Sequence, residues 1–169
     1  ASSGNIGGRA FYGCDNITDL TIDRVSTIGA NAFAFCSCMT SLTLGDWVYT
    51  IGNYAFTGCN KLREIHIGKN VSNLTNAFSS TLNYLDEITV SAQNTSYSGE
   101  GNCLIDRSYN TLILGTNSSV IPNTVKYITS NAFNGRTNLS TINIPASVTR
   151  INNNAFDGCK NLREVWCES

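Results

Sequence analysis

A solenoid of short parallel strands is the fold this sequence predicts, and three features predict it. Ala-Phe pairs recur at 10–11, 32–33, 55–56, 77–78, 132–133 and 155–156, so successive Phe residues lie 22, 23, 22, 55 and 23 apart. Aliphatic residues keep step with them: Ile6, Ile28, Ile51, Leu74, Ile128 and Ile151 lead the units, while Ile17, Met39, Leu62, Leu85, Leu139 and Leu162 follow each Phe by six or seven residues. Each unit then closes on an alternating segment such as "REIHI" or "STINI", the pattern of a short strand with one buried face.

A unit of about 23 residues cannot bury its own apolar face, but stacked units can, Ile on Ile and Phe on Phe. The strands of successive coils then form a parallel sheet at roughly 4.8 Å spacing. The "AFxGC" segments contain Gly and no long helical period, so each reads as a turn or a single helical turn. Phe11, Phe33, Phe56, Phe78, Phe133 and Phe156 are expected to stack in one interior ladder, each nearly fully buried. The unit at Leu74 is irregular, with one residue missing before Phe78 and one added after it.

The 55-residue interval between Phe78 and Phe133 holds one ordinary strand and then "NCLID-RSYN-TLILG", a hairpin around a four-residue turn. "VIPNTVKYI" resumes the phase of "NIPASVTRI" 23 residues later. The chain is therefore read as one domain of about seven coils over residues 1–169. Its units start near 6, 28, 51, 74, 128 and 151, with a variant hairpin coil at about 97–127. Both ends break off in mid-repeat, so a longer protein, or self-association through uncapped ends, is expected.

Composition narrows the function classes. Charged residues make up only 14%, below the usual quarter, and Asn, Ser and Thr fill the deficit. A surface of that kind suits an exported protein better than a cytosolic enzyme. The formal net charge of −1 gives no electrostatic footprint for nucleic acid, and no apolar run is long enough to cross a bilayer.

Taken together, the pattern I-G-x-x-A-F-x-G-C-x-x-L-x-x-I-x-I-P-x-S-V-x-x-I resembles the BspA-type leucine-rich repeat, found in surface proteins of many bacteria and some protists. The likeness covers essentially the whole chain, including the "GNCLID…TLILG…VIPNTV" coil, and departs from the pattern at Arg136, where the Cys column should continue. The expected fold class is a right-handed leucine-rich-repeat solenoid, with short parallel strands on one face, turns and short helical turns elsewhere, and one coil modified by a β-hairpin. The resemblance implies a non-enzymatic scaffold at the cell surface or outside the cell, binding or adhering through a protein or glycan ligand. It carries no shared catalytic residues. The alternative is a structural spacer that displays other domains and has no ligand of its own.

Alternation points one set of strand residues outward. One column reads Asp19, Ser41, Glu64, Glu87, Thr141, Glu164 and the next Thr21, Thr43, His66, Thr89, Asn143, Trp166. From these, Asp19, Glu64, His66, Glu87, Thr89, Asn143, Glu164 and Trp166 are the candidate ligand-binding residues, an acidic stripe suited to a basic or sugar-like ligand. Polar residues must face outward somewhere, so a solvated face is the plainer reading. Trp47 and Tyr49 sit where the strand passes into the turn, as a recognition pair or as packing over the loop edge.

His66 is the single histidine, and catalysis would need a nucleophile and an orienting partner beside it; its expected neighbours are Thr43 and Thr89. No catalytic residue, cofactor or metal is expected. Cys36-x-Cys38 lacks the second Cys/His pair a metal site needs. Cys14, Cys36, Cys59 and Cys159 share one repeat position, read as small buried side chains with free thiols, and the odd total of seven cysteines leaves at least one unpaired in any case.

Overall fold

The computed structural model describes residues 4–74, 76–78 and 82–169; the residues added after Phe78 in the irregular unit lie largely outside that set. Fourteen strands follow one another among the described residues: β1 (Gly4–Ile6), β2 (Asp19–Ile22), β3 (Val25–Ile28), β4 (Ser41–Leu44), β5 (Thr50–Ile51), β6 (Glu64–Ile67), β7 (Glu87–Val90), β8 (Tyr97–Ser98), β9 (Cys103–Asp106), β10 (Thr111–Gly115), β11 (Tyr127–Ile128), β12 (Thr141–Ile144), β13 (Arg150–Ile151) and β14 (Glu164–Cys167). Among the same residues, helical geometry is confined to one 3-10 turn, Glu100–Asn102. The result is a β-solenoid of about seven turns.

One wall carries the parallel sheet β2-β4-β6-β7 and, on the far side of the hairpin coil, the parallel pair β12-β14. The second carries β1-β3-β5 and the mixed sheet β13-β11-β10-β9-β8. Register is one to one, Leu20 beside Leu42 beside Ile65 beside Ile88, because only that register keeps every apolar residue on the inner face. The wall predicted as one sheet is thus two. Among the described residues no further strand extends the sheet beyond β7; instead the Asn102 side chain accepts from Ile88 N–H (2.7 Å) and donates to Asp86 C=O (2.6 Å), standing in for part of the missing ladder.

Corners are turned by left-handed residues. Asn31, Asn76, Asn131 and Asn154 adopt φ of 55–62°, a region Asn tolerates because its short side chain is weakly penalised there. Arg9 and Tyr54 hold the same place in their coils, and four residues after Arg9, Tyr54, Asn131 and Asn154 come the left-handed Gly13, Gly58, Gly135 and Gly158, but in the second coil that later place is taken by Phe35 at φ 62°, an unusual conformation for a bulky residue. Its ring lies against Gly58, where a Cβ would come within 2.6 Å of it, and beside Tyr12 at 5.3 Å.

Each coil hangs on the next by the same bond. Phe11 N–H donates to Ala32 C=O (2.7 Å), Phe33 to Ala55 (2.9 Å), Phe56 to Ala77 (3.0 Å) and Phe133 to Ala155 (2.7 Å). In the hairpin coil the donor to Ala132 C=O is Gly115 (2.9 Å). Leu112, paired with Ile128, holds the leading position, so β10 reaches the Phe place after three residues where the next coil takes five. It cuts the corner. A Cβ on Gly115 would lie 2.0 Å from Phe133 Cε1, because the Phe133 ring fills the space a side chain would need.

That substitution breaks the predicted ladder into two stacks. Phe11, Phe33, Phe56 and Phe78 stack at centroid distances of 4.9, 5.7 and 5.4 Å, and Phe133 on Phe156 at 4.8 Å. Phe33, Phe56, Phe78 and Phe133 are buried, but Phe11 is 42% exposed and Phe156 half-buried. The expectation of six buried rings fails for these two because each is the outermost ring of its stack, with one face uncovered.

The core divides in the same place. Leu104 and Leu114 join the cluster of the first four coils, while Cys103, Ile105 and Leu112 join that of the last two. The β9–β10 hairpin is a partition buried on both faces, which is why "CLI" runs without alternation.

Across this partition reaches Arg136, fully buried in the Cys column. Regular coils there donate a thiol to the Phe carbonyl one coil back: Cys36 to Phe11 (3.3 Å), Cys59 to Phe33 (3.3 Å) and Cys159 to Phe133 (3.0 Å). Arg136 Nε donates to Gly115 C=O (2.6 Å), the equivalent acceptor. Its Nη1 continues to Leu82 C=O (2.7 Å), two coils back, and to Asn134 C=O (2.9 Å), while Nη2 has no partner among the described residues. No carboxylate of a described residue pairs with it, and burial pulls its pKa from 12.5 down to about 10.

Burial acts on the thiols in the opposite sense for stability at high pH. It pushes Cys59 from 9.0 up to about 12 and Cys103 from 9.0 up to about 11. Below pH 9 both are neutral, folded or unfolded. Above it the unfolded chain releases protons that the folded chain keeps, so stability falls as pH rises, until about 11 for Cys103 and 12 for Cys59. Each thiol should contribute a slope of about 1.4 kcal/mol per pH unit in that window. Urea unfolding across it should lose part of its slope in Cys59→Ala; an unchanged slope would contradict the assignment.

Candidate functional site

The candidate residues on the sheet face do not form one surface. Asp19, Ser41, Glu64 and Glu87 make one row across β2-β4-β6-β7, and Thr21, Thr43, His66 and Thr89 the next, as the register dictates. Thr141 with Glu164 and Asn143 with Trp166 sit on the separate β12-β14 pair. Residues of the hairpin coil lie between, including Val120, 71% exposed and tied to Gly101 C=O at 2.8 Å. Asn143 is occupied, donating to the Glu168 carboxylate at 2.6 Å. Trp166 is exposed.

His66 is the most connected of the candidates. Its Nδ1 bonds the Thr89 hydroxyl, and its Nε2 lies 4.0 Å from the Glu64 carboxylate. A hydroxyl, an imidazole and a carboxylate therefore do line up, closer to a relay than the sequence suggested. The carboxylate is too far to orient the ring by a hydrogen bond. The nearby backbone N–H groups of Gly68 and Ser91 are spent in the ladder, on Leu44 C=O and Ile67 C=O (2.7 and 2.8 Å).

At the exit edge of these strands the face deepens into a trough of about 450 Å³ lined by Asp23, Thr43, Asp46, Trp47, His66, Thr89 and Ser91. Here the structure decides what the sequence left open: Val48 is fully buried beneath, while Trp47 and Tyr49 turn outward, 51% and 43% exposed. Asp46 is held in place by Lys69, whose N–H bonds its carboxylate at 3.1 Å and whose ammonium lies 3.5 Å away. That N–H bond, with the ammonium's charge, lowers the Asp46 pKa. Asp23 and Asp46 were missed in the sequence; the usable signal is that each follows its strand by one or two residues and so turns to the same edge.

Parallel coils, aliphatic and Phe columns and an outward strand face with a lateral trough define a leucine-rich-repeat solenoid. The chain belongs to the BspA-type leucine-rich repeat family: the pattern of the BspA type leucine rich repeat region matches it in six copies, over residues 2–103 and 106–169. Three solved bacterial structures are similar. A leucine-rich repeat protein from Eubacterium ventriosum aligns with a TM-score of 0.68 at 21% identity, over 98% of this chain and 58% of its own. A leucine rich cell surface protein from Faecalibacterium prausnitzii gives 0.61 at 26%, over 96% and 57%. The pneumococcal vaccine antigen PcpA gives 0.81 at 23%, over 96% and 42%. This chain thus spans about half the length of the structures it matches. No curated protein matches the sequence.

Proposed function

We propose that this chain is a non-enzymatic binding module, exported and held at the bacterial surface, whose β2-β4-β6-β7 face takes a basic segment of a protein partner. The trough carries the reading: an exposed Trp47 stands beside Asp23, Asp46 and the His66–Thr89 pair, and the acidic row Asp19, Glu64, Glu87 runs beside it. An aromatic face flanked by carboxylates suits Lys or Arg side chains, which gain from both. Low overall charge favours export, and the likeness to a Faecalibacterium protein described as a cell surface protein supports it.

Immobilised extracellular-matrix proteins, assayed against the wild-type chain and Trp47→Ala/Asp46→Asn, test this. Binding should weaken by about tenfold in the variant and fall with salt. Retention of full affinity in the variant, or binding by no basic protein, would remove the trough from the account.

A further inference from the structure

The corner that β10 cuts leaves a cleft on another wall of the coil. It measures about 470 Å³, within the 300–1,000 Å³ usual for small-molecule sites. Its floor is the end of the first aromatic stack, Phe78, with Leu74 and Leu114, and its rim is Tyr109 on the hairpin turn, 71% exposed. The wall is rigid: the buried Tyr97 hydroxyl accepts from Leu74 N–H (3.2 Å) and donates to Ser72 C=O (3.4 Å).

Polar side chains converge above that floor. Three side-chain amides line the cleft, Asn76, Asn131 and Asn152, and none bonds another described residue. Asn76 and Asn131 belong to the left-handed turn column, which alone accounts for their being Asn. Asn152 does not: its N–H donates to Ile128 C=O, as Gly29 does to Ile6 and Gly52 to Ile28, so a side chain stands where earlier coils have glycine. Asp106 accepts from Ser108 N–H through one carboxylate oxygen (2.7 Å), leaving the other open to a ligand. Among the described residues no Lys, Arg or His lines the cleft.

We infer that this cleft binds an uncharged saccharide of one or two sugar units. Vicinal hydroxyls donate to a carboxylate and both donate to and accept from side-chain amides, while the apolar face of a sugar ring packs on aromatic carbon. The lone negative charge and the lack of lining cations select against anionic ligands. The site is independent of the trough, which lies on the other sheet.

Saturation-transfer NMR on the whole chain tests it, with glucose, galactose, mannose, N-acetylglucosamine, maltose, lactose and cellobiose as probes and glucuronic acid as the charged counterpart. At least one neutral sugar should give saturable transfer. Tyr109→Ala and Asn131→Gly, the latter keeping the left-handed backbone, should each weaken it by about tenfold. Trp47→Ala should leave it unchanged, and glucuronic acid should bind less well. Transfer from none of the neutral sugars, or transfer insensitive to both cleft variants, or loss on Trp47→Ala alone, overturns the proposal. Failure of the trough to bind protein would leave it standing.

Discussion

Arg136→Ala is expected to lower stability by about 3–5 kcal/mol, because it empties the place of a large, fully buried side chain and removes its hydrogen bonds. Three carbonyls lose the guanidinium at once, those of Gly115, Leu82 and Asn134; Leu82 C=O keeps the Leu85 N–H (3.3 Å), while a buried acceptor left with no donor costs about 1–3 kcal/mol. Against this stands relief of the charge itself, which burial already strains, as the fall in its pKa to about 10 records. Arg136→Met separates the two effects, since it keeps most of the volume while removing both charge and donors. A loss of about 2 kcal/mol in urea unfolding is expected for it. An Arg136→Met chain as stable as wild type would mean that the guanidinium bonds do no more than offset its desolvation.

Gly115→Ala is expected to be nearly as damaging, for a steric reason. The added Cβ would sit 2.0 Å from the edge of the fully buried Phe133 ring, with Arg136 Nε bonded to Gly115 C=O at 2.6 Å. Overpacking of this kind costs about 1–3 kcal/mol and sometimes more. Because the clash has one partner, it should be strongly non-additive: Phe133→Leu, destabilising alone, should lose less in the Gly115→Ala background than in wild type. Thermal melts of the four chains measure the coupling. Additive losses would place the damage elsewhere than against the ring.

Much of this fold was legible because its repeats say the same thing six times. The Phe, leading Ile and strand columns were read from spacing and lie where the spacing puts them. The hairpin was legible too, from "CLID-RSYN-TLIL" and its four-residue turn. What could not be read was the joint. A lone Gly115 in an apolar strand gives no hint that it stands in the Phe column, since the column is kept by a hydrogen bond and not by a residue count. Arg136 was visible as an exception to the Cys column, but its reach to Leu82, 54 residues away, follows only from three-dimensional stacking. The candidate surface failed for the same reason. Outward residues were assigned to the correct rows, while the break between Glu87 and Thr141 depended on the partition.

The joint also limits how such a chain can change by descent. A regular coil presents the same surfaces before and behind, so duplicating or deleting one leaves every neighbour with an equivalent neighbour. The hairpin coil does not, because it offers a carbonyl and an empty Phe place on one side only. Deleting it alone would bring Phe133 onto Phe78 and leave Arg136 long by a whole coil, its guanidinium facing a wall built for a thiol. Gly115 and the pair Phe133 and Arg136 therefore form one heritable unit, to be gained, lost or replaced together, while the coils on either side are free to vary in number.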